Sequence, residues 1–71
     1  MLDALAAQQA RLLQLTIAQV DISVLQLWWH YFSLGGDVGQ LEIEVYLHQA
    51  MHLPRFDRQL LDHAASELIN D

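Results

Sequence analysis

From Leu13 to Leu34 the chain is apolar around most of a helical circumference, and that stretch limits what it can fold into. Leu13, Ile17, Val20, Val24, Leu27, Tyr31 and Leu34 recur in alternating steps of four and three, the spacing of one face of an α-helix. Leu25, Trp28, Trp29 and Phe32 form a second apolar set beside or behind the first, and only a narrow stripe of Gln19, Ser23, Gln26, His30 and Ser33 is polar throughout. A helix of this kind needs partners on more than one side.

The chain is short for such a burden. Seventy-one residues make at most one domain, and chains of this size bury only about 60% of their unfolded surface unless a disulfide, metal or partner helps. There is no cysteine, which removes disulfides, thiolate metal sites and cysteine nucleophiles. With 54% hydrophobic and only 17% charged residues, the balance points to oligomerisation.

Nine carboxylates against three arginines and no lysine give a net charge of −6. That sign opposes phosphate backbones and anionic membrane surfaces, so neither nucleic acid nor membrane is an expected partner. Leu12 to Leu34 is long enough to cross a bilayer, but Gln14, Gln19, Asp21, Gln26 and His30 within it oppose a transmembrane reading. No basic amino-terminal region resembles a secretion signal. The expectation is a cytoplasmic protein, and arginine without lysine beside abundant Ala and Leu suggests a GC-rich bacterial source.

The first helix is expected over about 2–34. Its weak point is Gln19 to Val24, where Val20, Ile22 and Val24 alternate with polar residues as in a strand. Without Gly or Pro to mark a break, the chain reads as continuous there. The alternative is a break near 21–23, with Ser23 as N-cap and Gln26 completing a capping box. Gly35-Gly36 is a firm stop with a left-handed C-cap. Asp37 and Gln40 then suggest a capping box for a second helix over about 38–51, burying Ile43, Tyr46, Leu47, Ala50 and Met51. Pro54 separates this from a third helix over about 54–70, with Phe56, Leu60, Leu61, Ala64, Leu68 and Ile69 on one face.

The fold expected is therefore all-α: a long amino-terminal helix followed by a tight helical hairpin, assembling into a dimeric bundle. Two shorter helices cannot cover the whole first helix, which leaves its amino-terminal half for a second chain. The interface expected is Leu13, Ile17, Val20, Val24, Trp28 and Trp29. Adjacent helical residues point about 100° apart, so Trp28 and Trp29 cannot both enter one core in the same way, and tryptophan is enriched in binding hot spots.

Other chemistry is weaker. Glu44, His48 and His52 stand at i, i+4 and i+8, and His48 with His52 plus a ligand from elsewhere is the alternative reading, a metal- or small-ligand-binding protein. The His-Glu-x-x-His order is absent, and three ligands strung along one helix converge poorly. A polar flank explains these residues without a metal, so no metal or cofactor is expected. His30 and His63 read as structural, with His30 pH-sensitive if its stripe is buried in an assembly. No serine lies in a nucleophile elbow, and Gly35-Gly36-Asp37-Val38-Gly39 lacks the lysine and hydroxyl of a P-loop. Arg55 and Arg58 could open a recognition helix in a helix-turn-helix, but Asp57, Asp62 and the overall acidity oppose it. The function expected is a non-enzymatic protein-protein interaction or oligomerisation module, of the kind found in small bacterial regulatory adaptors.

Overall fold

A computed structural model describes residues 4–70, and among them the fold is all-helical with four helices where three were expected. They are α1 (Ala4–Gln19), α2 (Val24–Ser33), α3 (Gln40–Leu47) and α4 (Arg55–Ile69). A single helix over 2–34 would be roughly 50 Å long, whereas the longest dimension of the molecule is 33 Å. The expected start at position 2 lies outside the described residues.

The expected long helix is thus broken between α1 and α2. Asp21 takes φ 60°, Ile22 N donates to Ile17 O at 2.8 Å, and Asp21 N donates to Ala18 O at 3.3 Å. That pair of bonds is a Schellman motif with aspartate in the left-handed position usually held by glycine. Two residues on, Ser23 caps α2: Gln26 N donates to Ser23 Oγ at 3.1 Å, and Ser23 N donates to Gln26 Oε1 at 2.8 Å. The capping box that seemed the lesser alternative is the one formed.

The same stop recurs twice. At the end of α2, Gly36 N donates to Tyr31 O and Gly35 N to Phe32 O, both at 3.1 Å, with Gly35 at φ 108°. After α3, Ala50 N donates to Val45 O at 3.1 Å and Gln49 N to Tyr46 O at 2.9 Å, with Gln49 at φ 60°. The second expected helix is therefore shorter at both ends. Asp37 is outside it, Gly39 is the N-cap, and the Glu42 carboxylate lies over that glycine in place of an Asp37–Gln40 box. Ala50 and Met51 fall in the following loop, Ala50 exposed and Met51 half-buried.

Breaking the long helix changes what covers it. α1 packs on α3 and α4, and α2 packs on the same two helices, so α1 and α2 stand on one diagonal of the bundle. α3 and α4 occupy the other diagonal and are not direct neighbours, which corrects the expected tight hairpin. The stripe Ala6, Ala10, Leu13 and Ile17 of α1 is buried, and its two alanines permit close approach of the facing helices. The amino-terminal half consequently has the intramolecular cover it was expected to lack. Leu27, Tyr31, Ile43, Tyr46, Leu47, Leu53 and Leu61 are almost fully buried and complete the core with α1.

α4 is also rotated from expectation. Phe56 and Ile69 are exposed, and the buried stripe is Asp57, Leu61, Ala64 and Ala65. A carboxylate tolerates this place because the Tyr31 hydroxyl donates to Asp57 Oδ1 at 2.6 Å.

Candidate functional site

The broken helix leaves one side of α2 without a neighbour. Leu27 and Tyr31 turn into the core, while Leu25, Trp29 and Phe32, at i, i+4 and i+7, turn outward with 47%, 57% and 48% of their surfaces exposed. Trp28 lies between the two sides, half-buried, and its indole N–H donates to the Val38 carbonyl at 2.9 Å. Val38 N in turn donates to the Tyr31 hydroxyl at 3.1 Å. One short segment after Gly36 thus holds both the core tyrosine and the tryptophan at the edge of the exposed face.

The three rings form one contiguous surface. Trp28 stacks on Phe32 with centroids 5.4 Å apart and planes 26° from parallel; Trp29 meets Trp28 at 5.0 Å and Phe32 edge-on at 6.2 Å. These separations lie in the favourable range for aromatic pairs. Because Trp28 is tied to the backbone, the platform is built before anything binds it, which lowers the ordering cost of association.

No family model, curated protein or solved structure matches this chain. Of the six residues expected at an interface, Leu13 and Ile17 are inside the chain's own core, Val24 and Trp28 are half-buried, and Val20 and Trp29 are exposed. Leu25 and Phe32 belong to the exposed face but are not among the six residues expected at the interface. Their i, i+7 spacing around Trp29 was the available signal.

The other candidate groups are not gathered. His48 is the C-cap of α3 and His52 lies in the loop beyond the Gln49 turn, so they no longer share a helix face; both are exposed. Among the described residues no group of three potential ligands is close enough to hold a metal ion. Arg55 is exposed, whereas Arg58 turns toward α1 and donates through Nη1 to Gln9 Oε1 at 3.3 Å. The two helices of the suspected helix-turn-helix do not pack together. No helix of the described residues is long and apolar enough to cross a membrane.

Three titratable groups are perturbed among the described residues. The Tyr31 phenol is pushed up to about 12 by burial and by its bond to Asp57, and burial likewise raises Tyr46, with Asp62 adding to the effect. On the surface, Glu67 joins His30 of α2 at 2.6 Å and His63 of its own helix at 3.0 Å. The His30 hydrogen bond holds the Glu67 carboxyl below the usual glutamate value. His30 is therefore a surface clasp between α2 and α4, on a different side of α2 from the aromatic platform.

Proposed function

We propose that this protein is a non-enzymatic helical interaction module that associates with a second copy of itself through the aromatic face of α2. The observation that carries the reading is the absence of charge on that face. From Ile22 to Gly36 there is no Asp, Glu, Lys or Arg, the longest such interval in a chain of net charge −6. Two copies of so acidic a chain repel over most of their surface, and a strongly basic partner would seek carboxylates. The platform of Leu25, Trp28, Trp29 and Phe32 carries no charge to repel a copy and no carboxylate to pair with a base.

A two-fold arrangement would lay α2 against α2, with Trp29 and Phe32 as paired anchors. Their exposed area, with Leu25, is on the order of 300 Å² per copy, against about 800 Å² per partner in a stable complex. Association is accordingly weak and concentration-dependent, in keeping with a small regulatory adaptor. The acid–base groups that do meet support a non-catalytic role, since Tyr31–Asp57 is sealed in the core and His30–Glu67–His63 spans two helices on the open surface.

Sedimentation velocity between about 10 μM and 1 mM tests this, a range set by the small area. The average mass should rise from one chain toward two, and Trp29→Gln with Phe32→Gln should stay at one chain with an unchanged helical circular-dichroism spectrum. A wild-type mass fixed at 8.1 kDa across the range would refute self-association.

A further inference from the structure

We infer that the groove between α1 and α4 binds a small cationic amphiphile, with Asp62 receiving its positive head. The groove holds about 360 Å³, within the range of small-molecule sites of roughly 300–1,000 Å³. Leu12 and Leu13 of α1 and Ala65 and Ile69 of α4 make it apolar. Two of its polar groups are already engaged: the Thr16 hydroxyl donates to the Leu12 carbonyl at 2.7 Å, and Ser66 Oγ accepts from Asn70 Nδ2 at 3.5 Å.

Asp62 is different. Its Oδ2 accepts from Gln9 Nε2 at 2.8 Å, while no hydrogen bond or ion pair among the described residues reaches Oδ1. The nearest arginine on α4 does not satisfy it. Arg58 spends Nη1 on Gln9, its Nε is buried, and it is not part of the groove wall. A fatty carboxylate would thus bring its charge to an aspartate whose nearest cation, Arg58, stands behind Gln9 and outside the groove wall. An ammonium on a single alkyl or aryl chain would donate to Oδ1 and lay its chain along the leucines, and the net charge of −6 adds attraction.

The proposal does not depend on self-association, and the full chain tests it with three probes of one chain length: decylammonium, decanol and decanoate, each below its micellar concentration, followed by amide NMR. Decylammonium should shift the amides of Leu12, Thr16, Ala65 and Ser66 and bind at least about fivefold tighter than decanol, with decanoate weakest. Asp62→Asn, which keeps the side-chain shape, should bring decylammonium down to decanol, while the Trp29→Gln, Phe32→Gln variant should bind all three as wild type does. Ser66→Trp, filling the groove from its rim, should remove binding, and Asp62→Asn carries the test alone if that variant does not fold. Equal affinity for the three heads, no binding, or shifts confined to Leu25–Phe32 would each overturn the proposal.

Discussion

Replacing Gly36 by alanine should be among the most damaging single-methyl changes available to this chain. Gly36 has no special backbone angle; it is glycine because the Tyr31 ring lies against its α-carbon, and an added methyl would overlap Cζ and both Cε atoms. The ring cannot readily yield. It is fully buried, its hydroxyl donates to Asp57 Oδ1 at 2.6 Å, and that hydroxyl accepts from Val38 N at 3.1 Å. Overpacking costs about 1–3 kcal/mol, and loosening a hydrogen bond to a buried carboxylate about 1.5–3 kcal/mol. Because a tilted ring relieves part of the first at the expense of the second, the two combine to about 3 kcal/mol and not their full sum. A chain of this size has roughly 4–11 kcal/mol in total, and the melting temperature should fall by about 12–24 °C. Urea unfolding followed by tryptophan fluorescence measures the change. The decisive control is Tyr31→Leu: without the ring, Gly36→Ala should cost less than about 1 kcal/mol. Gly35→Ala meets nothing within 4 Å but holds φ 108°, so its penalty, of order 1–3 kcal/mol from backbone strain, should be the same in both backgrounds. An equal Gly36→Ala penalty with and without the Tyr31 ring would refute the argument.

The two non-glycine helix stops make the opposite prediction. Asp21→Gly and Gln49→Gly should each stabilise by up to about 1 kcal/mol in urea, whereas glycine inside a continuous helix would cost about that much. In alkali, Tyr31 and Tyr46 are the chain's only tyrosines and both are raised, so near-ultraviolet absorbance should show little tyrosinate at pH 10 while the fold persists. A folded pKa above the unfolded 10.0 means that stability is whole below pH 10 and is lost as pH rises toward about 12; early tyrosinate in the folded chain would contradict the buried Tyr31 contact. Glu67 has the reverse sign, since its folded value lies below 4.5: its contribution is present above that pH and is lost as pH falls through the folded value. Carboxyl-carbon NMR should find Glu67 titrating low in the wild type and nearer the ordinary value in His30→Ala.

The helical class, the Gly35 stop, Pro54 and the buried triplet Ile43, Tyr46 and Leu47 were legible because each is a local signal of pattern or backbone chemistry. The breaks at Asp21 and Gln49 were not. Both use the Schellman geometry of the Gly35 stop, but with residues that pay about 1–2 kcal/mol to enter the left-handed region, so no glycine advertises them. What decides the matter at Asp21 is tertiary. Terminating α1 lets Ile17 and Ile22 join one core, and Ser23 with Gln26 recovers the orphan amides of the next helix. The burial of Asp57 is not legible for a related reason: a charged residue reads as solvent-facing until the tyrosine that bonds it, 26 positions earlier, is placed.

The burial of the expected interface residues Leu13 and Ile17 follows from the same break. A continuous helix has a long amino-terminal half that cannot be reached by its own chain, so its apolar stripe must go to a partner. Folding α1 back between α3 and α4 buries Ala6, Ala10, Leu13 and Ile17 without one. The apolar excess does not disappear; it moves. α3 and α4 have already committed their inner faces to both diagonal helices, and α2 has apolar residues on more sides than two neighbours can cover. Leu25, Trp29 and Phe32 are what remains, on the helix whose sequence is freest of charge. The surplus that first suggested oligomerisation therefore stands on α2, and under the proposed self-association the contact shrinks from a shared bundle core to a small aromatic platform.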